Sequence, residues 1–408
     1  MTRPRDPSPP ARRAKWLTPN VRVLSGVSLL QDTASELLYP ILPIFLTVTL
    51  GAPVAVVGVV EGVAEGIAAL TKIVAGRLGD RYAKRPLIAA GYGLAAVGKV
   101  LLAVAGSWPL VLAGRAVDRV GKGIRGAPRD ALLMVDADPA YRGRIFGFHR
   151  ASDTAGAVLG PAIGLGLYEA FDHAIRPLLL IAVVPAVLSV VLVAAIRENR
   201  TPARVSPAAV AGAAASEPLP SRLRLLIGAL TVFSLVNFAD ALLLLRAYEL
   251  GLSTAGVICA YICYNIAYAG LAYPAGALSD RIPRHLVFAL GLVCFAVGYI
   301  GLGLVDSPAW VFLVLPIYGG FAAATDGVGK AWVSDLAPPL RQAAAQGLYQ
   351  GLTGGAVLIA GIWAGLAWQG TGQLPLLISG VIGLALAAAL VVGGRHLAPA
   401  VPETAVAR

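Results

Sequence analysis

Gly76-Arg77-Leu78-Gly79-Asp80-Arg81-Tyr82-Ala83-Lys84-Arg85 and Gly276-Ala277-Leu278-Ser279-Asp280-Arg281-Ile282-Pro283-Arg284 are two versions of one segment, 200 residues apart in a chain of 408. Each sits where one long apolar run ends and the next begins. A charged turn repeated at that distance between hydrophobic runs describes a membrane protein made of two similar halves, the organisation of a carrier.

Composition agrees. The chain is 57% hydrophobic and 13% charged, against roughly 25% charged residues in a soluble protein. Such a chain needs lipid as its solvent, and its 47 glycines suit close helix approach in a bilayer. Cys259, Cys263 and Cys294 lie in apolar runs and read as packed core thiols, with no disulfide or metal-ligand spacing among them.

The net charge of +11 is distributed in a way that excludes nucleic acid as its reason. Arg3, Arg5, Arg12, Arg13, Lys15 and Arg22 precede the first apolar run; Arg77, Arg81, Lys84 and Arg85 occupy the first duplicated turn. Later alternate connections carry Arg142 and Arg144, then Arg197, Arg200, Arg204, Arg222 and Arg224. The opposite connections, around Gly51-Ala52-Pro53, Gly106-Ser107-Trp108 and Gly370-Thr371-Gly372, carry no Lys or Arg. This positive-inside bias places both ends in the cytoplasm. The basic N-terminus lacks a short apolar core with a cleavage site and reads as a disordered tail, not a signal peptide.

A spanning helix needs roughly 20 mostly apolar residues, and twelve such runs are expected: 21–49, 54–78, 86–106, 109–135, 143–169 and 175–195, then 223–249, 253–279, 285–305, 309–335, 343–368 and 374–393. The expected organisation is a cytoplasmic tail (1–20), a six-helix bundle (21–197), a cytoplasmic linker rich in Pro, Ala and Ser (198–222), a second six-helix bundle (223–395) and a C-terminal tail (396–408). Two further echoes support the halves: Asp118-Arg119-Val120-Gly121-Lys122 with Asp326-Gly327-Val328-Gly329-Lys330, and Asp32 with Asp240, both 208 residues apart.

On these segments the chain resembles the major facilitator superfamily over residues 20–395. Gly76 to Arg85 looks like that family's motif between its second and third helices. Gly156-Ala157-Val158-Leu159-Gly160-Pro161-Ala162-Ile163-Gly164 is similar to the glycine-proline motif of its antiporters. Arg119-Val120-Gly121-Lys122-Gly123 looks like its Arg-x-x-Gln-Gly motif, with Lys122 standing where glutamine is usual. The resemblance implies an all-α membrane fold of twelve transmembrane helices in two pseudo-symmetric bundles, with the first, fourth, seventh and tenth spans lining a central cavity.

Ionisable residues inside membrane helices cost about 2.5–3.5 kcal/mol each on insertion scales and mark function or a partner. Asp32 and Glu36 are four apart, so both carboxylates share one helix face, and proton coupling or cation binding is the chemistry such a pair serves. Glu61 and Glu65 repeat the spacing on the second span; a second proton site and a contact between bundles are both open for them, with Lys99 as a pairing candidate. The fourth span carries Arg115, Asp118, Arg119, Lys122, Arg125, Arg129 and Asp130. Asp118, Lys122, Arg125 and Arg129 form one stripe, expected to face the cavity, with a local Asp118–Lys122 pair. Arg125, Arg129 and Asp130 read as gate residues near the cytoplasmic end. Asn237, Asp240 and Arg246 on the seventh span, and Asp326 with Lys330 on the tenth, complete the charges of the expected cavity helices. His149, Arg150 and Asp153 open the fifth span, and the histidine reads as structural.

The sequence-level expectation is therefore a secondary carrier of the plasma membrane, most consistent with proton-coupled efflux of a small molecule; a proton-coupled symporter importing an organic anion is the alternative. Asp32, Glu36, Glu61 and Glu65 are the proton-coupling candidates. Arg115, Asp118, Arg119, Lys122, Asn237, Asp240, Asp326 and Lys330 are the substrate-cavity candidates. Gly76, Asp80, Arg81, Arg85, Asp280 and Arg281 form the expected conformational gate, by charge pairing and helix dipoles. Gly156, Gly160, Pro161 and Gly164 are expected to pack and bend the fifth helix where the halves meet. Expected partners are a small-molecule substrate, protons and the lipid bilayer, with a monomeric chain. No cofactor, metal or nucleic acid is expected. No nucleophile elbow, phosphate loop or metal-ligand cluster points to an enzyme.

Overall fold

The computed structural model describes residues 16–39, 42, 45–52, 54–135, 137–172, 174–198, 219–368 and 372–394, with the side chains of 47–48, 54–55, 57–59, 61–62, 65 and 254–255 also outside the description. Its α-helices are α1 (Pro19–Leu38), α2 (Val54–Arg81), α3 (Lys84–Ala103), α4 (Trp108–Met134), α5 (Arg142–Ala170), α6 (Ile175–Val193), α7 (Ser221–Ser234), α8 (Asp240–Glu249), α9 (Thr254–Ser279), α10 (Arg284–Leu304), α11 (Val311–Leu336), α12 (Gln342–Leu366) and α13 (Gln373–Gly393). The expected linker and both tails fall almost wholly outside the described residues.

Ten of the expected spans are continuous helices whose ends fall within about three residues of the reading. Two differ. The first span ends as a helix at Leu38, and a π-helical turn covers Phe45–Thr49. Prolines at positions 40 and 43 follow that end in the sequence, and a proline has no N–H with which to continue the helical hydrogen-bond ladder. The seventh span is broken into α7 and α8. The carbonyls released at the break find donors on other helices: Trp363 Nε1 donates to the Leu235 oxygen at 2.7 Å, and Tyr299 Oη to the Phe238 oxygen at 3.1 Å. A broken helix is tolerated at membrane depth only where neighbours satisfy the backbone in this way.

Helices α6, α10 and α13 are apolar enough to cross a bilayer by composition alone, as are α3, α9, α11 and α12. The others, α1, α2, α4, α5 and the α7–α8 pair, carry more charge, part of it buried, as at Arg115, Asp118, Asp130, Asp153 and Arg246. Within the first half α3 packs on α4 and α6, α1 on α5 and α6, and α2 on α4; within the second, α9 packs on α11, α10 on α11 and α13, and α7 on α12. The halves meet where α5 crosses α9 and α11, and where α12 crosses α2 and α4.

The fifth-helix glycines correct one expectation. A Cβ on Gly156 would lie 2.7 Å from the Leu29 oxygen, and one on Gly160 2.7 Å from the Leu37 nitrogen; Gly164 also faces Leu37. This motif seats α5 on α1 inside its own half, not where the halves meet, and Pro161 lies within an uninterrupted α5. The residues that bring the halves together are other glycines. A Cβ on Gly76 would lie 2.7 Å from the Ala343 oxygen of α12, and one on Gly276 2.2 Å from the Gly143 oxygen of α5. The cysteines also depart from a fully packed reading, since Cys259 is exposed and Cys263 and Cys294 are only half-buried.

Candidate functional site

The duplicated turns act on each other's halves. The Asp80 carboxylate, at the end of α2, accepts the backbone N–H groups of Ala343 and Ala344 at 2.8 Å each, which are free at the start of α12. Asp280, after α9, accepts those of Gly143 and Arg144 at 2.7 and 2.8 Å at the start of α5. An acidic side chain on the orphan N–H groups of a helix start is a favourable electrostatic contact. Arg284 adds a contact to Asp280 at 3.6 Å and, with Arg142, an ion pair to Asp335. The arginines named with these aspartates do less than expected: Arg81 and Arg281 are exposed. Arg85 stays in its own half, donating from Nη2 to the Ala194 oxygen at 2.8 Å.

A cavity of about 450 Å³ lies between the halves on the far side of this closure. Its wall takes Asp32 and Glu36 from α1, Lys122, Arg125 and Arg129 from α4, and Arg150 and Asp153 from α5. Across from them stand Asn237, Asp240, Tyr261, Tyr264, Tyr268 and Asp326. Three residues of the fourth-span stripe face the cavity. The fourth, Asp118, does not: it is buried against Lys99, whose Nζ lies 3.1 Å from Oδ1. The expected Asp118–Lys122 pair is thus replaced by a contact to α3, and Lys99 is paired with Asp118; its expected pairing with Glu61 or Glu65 lies outside the description. Both of those glutamates have side chains outside the described residues. Arg115 and Arg119 are buried without lining the cavity and act electrostatically on Glu36.

Asp326 and Lys330 point to different partners instead of to one another. Asp326 accepts from Tyr268 Oη and from Arg150 Nη2, the latter at 3.1 Å. Arg150 reaches from α5 across to α11, and its Nη1 holds Asp153 at 2.7 Å. Asp153 in turn lies beside Asp32, close enough for the two carboxyl groups to act on one another. The result is a polar path from α1 through α5 to the opposite half: Asp32, Asp153, Arg150, Asp326, Tyr268.

Beneath that path lies a second crossing. Asp130, wholly buried, receives Lys330 Nζ at 2.7 Å, Arg129 Nε at 3.0 Å and Gln350 Nε2 at 2.9 Å. Arg129 also donates to Ser28 Oγ, which meets His149 Nε2 at 3.1 Å. His149 is therefore a satisfied buried side chain. Lys330 both edges the cavity and closes it. Arg246, expected among the cavity charges, instead donates from Nε to the Leu302 oxygen at 3.0 Å and caps the end of α10.

The sequence reading named Arg150 and Asp153, the centre of the path, at the start of the fifth span without giving them a role, and passed over the tyrosines of α9. The signal was there: Arg150 and Asp153 are an i, i+3 pair, and Tyr261, Tyr264 and Tyr268 follow helical spacing on one face.

The Major Facilitator Superfamily model matches residues 24–261 and 225–406. An uncharacterized MFS-type transporter of Methanocaldococcus jannaschii is 32% identical over 375 residues, 90% of this chain and 93% of that protein. The multidrug resistance protein MdtH of Yersinia pestis is 32% identical over 136 residues, 33% of this chain and 34% of its own. The solved structure of the human organic anion transporter MFSD10 (TETRAN) superposes with a TM-score of 0.73 at 18% identity, covering 91% of this chain and 99% of that one.

Proposed function

This chain belongs to the major facilitator superfamily, a family of multi-pass membrane transporters rather than enzymes, and from that premise we propose that it is a proton-coupled exporter of a small molecule working by alternating access. The observation that carries the coupling is the Asp32–Asp153 carboxyl contact joined through Arg150 to Asp326 of the opposite half. A proton gained or lost at the carboxyl pair changes what Arg150 holds, and Arg150 is one of the bonds between the halves. Transport then rocks one six-helix half (21–197) against the other (223–395) around the chamber. The Asp80 and Asp280 caps brace the state with the chamber shut on the side of the duplicated turns.

The partial likeness to a multidrug resistance protein favours export. The Lys and Arg excess on the turns favours a cytoplasmic position for that side and for both termini, in the plasma membrane. The chamber is lined within one chain, so a single chain suffices.

Everted membrane vesicles with an acid interior test the proposal. A panel of organic cations, anions and sugars is added outside and the pH gradient followed by acridine fluorescence. An exporter releases the gradient on addition of its substrate, and Asp32→Asn inserts normally but does not. Further acidification on substrate addition identifies proton symport, the reading that the Lys122–Arg125–Arg129 stripe favours for an organic anion. Wild-type behaviour of Asp32→Asn at every pH removes Asp32 from the coupling.

A further inference from the structure

The two walls of the chamber differ in how their carboxylates are balanced. Lys122 acts electrostatically on both Asp32 and Glu36, and Arg150 neutralises Asp153 and Asp326 together. Asp240 is the exception. It stands in the first turn of α8, at the break of the seventh span, and it lines the cavity. Its hydrogen-bond donor among the described residues is a phenol: Tyr318 Oη reaches Oδ1 at 2.9 Å, and Tyr264 stands beside it. Among the described residues no ion pair reaches it.

Aromatic faces surround this carboxylate. Tyr261 and Tyr264 stack with centroids 5.9 Å apart, Tyr264 and Tyr318 stack at 5.5 Å with planes 20° apart, and Tyr268 lies 6.1 Å from Tyr264. Tyr261, Tyr264 and Tyr268 line the chamber, while Tyr318 backs them. A phenol that donates its proton to a carboxylate gains electron density in its ring, which strengthens attraction for a cation at the face. A hydroxyl donor fixes the carboxylate without cancelling its charge.

Resting on the reading of this chamber as a transport site, we propose that Asp240 with Tyr261, Tyr264 and Tyr268 forms a subsite for the positively charged nitrogen of an organic ammonium substrate. The substituents on that nitrogen lie against the rings, and the charge faces the carboxylate. The opposite wall, with Lys122, Arg125 and Arg129, supplies the contrast that orients such a molecule.

The test is binding by the purified full-length protein, read by thermal unfolding and intrinsic fluorescence titration. The probes are benzyltrimethylammonium, the neutral benzyl alcohol and the anionic benzoate. The cation is expected to stabilise the wild type and the other two to leave it unshifted. Asp240→Asn is expected to weaken cation binding about tenfold or more, Tyr264→Leu about as much, and Tyr264→Phe, which keeps the ring, only a few-fold. The charge series on the wild type needs no variant to fold, and the ligand-free unfolding of each variant reports its integrity. Failure of the wild type to bind the cation, equal stabilisation by benzoate, or unchanged binding in Asp240→Asn overturns the subsite. Unchanged binding with lost proton coupling would make Asp240 a proton carrier and also overturn it. Cation binding without flux in vesicles leaves the subsite standing and removes the transport reading; flux of neutral or anionic compounds without cation binding does the reverse.

Discussion

The closure between the halves and the chamber above it are built on different principles. At the closure everything happens twice. Asp80 takes the amides of Ala343 and Ala344, and Asp280 takes those of Gly143 and Arg144, with donors and acceptors displaced by the same 200 residues. Gly76 and Gly276 make the matching close approaches. In the chamber the same displacement relates unlike residues: His149, Arg150 and Asp153 of α5 answer to Tyr349, Gln350 and Thr353 of α12. Under the proposed alternating access, a rocking joint gains from two equivalent latches, since each braces the same state. Under the proposed proton coupling, the chamber gains from inequivalence, since a substrate and a proton need different partners. The duplicated ancestor shows in the joint and has been overwritten in the chamber.

The harshest way to break the joint is to fill it. Gly276→Val adds a Cβ that would lie 2.2 Å from the Gly143 oxygen, a backbone atom that has no side chain to swing aside. Overpacking of this kind costs the closed state about 3 kcal/mol. Flux should fall about hundredfold, and a cysteine placed in the chamber wall by Thr353→Cys should become reactive to thiol reagents added from the side of the duplicated turns. Gly270→Val on the same helix, where nothing lies within 4 Å, is the control expected to transport normally. Equal loss in both variants would show a helix defect and no joint.

The chamber's inequivalence can be erased directly. Arg150→Gln with Asp153→Thr gives α5 the residues that α12 carries at the matched positions. The change removes the cation shared by Asp153 and Asp326 and the partner of Asp32. Flux driven by a pH gradient should drop roughly tenfold to hundredfold, in the range of one lost buried charged contact. Exchange of substrate without a gradient should persist. Retention of full pH-driven flux would mean that the path from Asp32 to Asp326 is structural.

This contrast also explains what the sequence made legible. Helix ends could be read closely because charged turns and glycines punctuate the apolar runs. The turns' role as helix braces followed from Asp80 and Asp280, since an acid beside a helix end has few other uses. Their crossing to the opposite half was invisible, because nothing local in Gly76–Arg85 names Ala343. Charge pairing failed the same way. Asp118 with Lys122, and Asp326 with Lys330, have the spacing of local pairs, yet Lys99, Arg150 and Asp130 take the members instead. In a buried environment the partner is set by helix packing, and local spacing contributes only about 0.2–0.5 kcal/mol. The break before Asp240 left no glycine or proline signal, because its free carbonyls are satisfied by Trp363 and Tyr299 from distant helices. Asp32, Glu36, Lys122, Asn237, Asp240 and Asp326 were found because polar groups on apolar helices must face something other than lipid.

The smallest effect is the sharpest probe of the joint's symmetry. Asp80→Asn and Asp280→Asn each replace a carboxylate that accepts two amides with a carboxamide whose oxygen retains part of that role. Each should cost the closed state about 1 kcal/mol, the usual worth of a helix N-cap. State interconversion then shifts about fivefold while substrate affinity changes little. The two need not be identical. Asp280 also has Arg284 at 3.6 Å, and that arginine is itself held by Asp335, so Asp280→Asn loses an ion pair as well as a cap. That pair is long and its arginine is shared with Asp335, so it adds roughly a few tenths of a kcal/mol. Hydrogen exchange at the two helix starts separates the contributions: Ala343 and Ala344 should lose protection in Asp80→Asn, Gly143 and Arg144 in Asp280→Asn, with the second loss the larger. Raising the salt should shrink the difference between the two variants and leave the capping loss they share. A difference that survives salt, or one that favours Asp80, would place the imbalance in helix packing around Gly76 and Gly276 and not in the charge on Arg284.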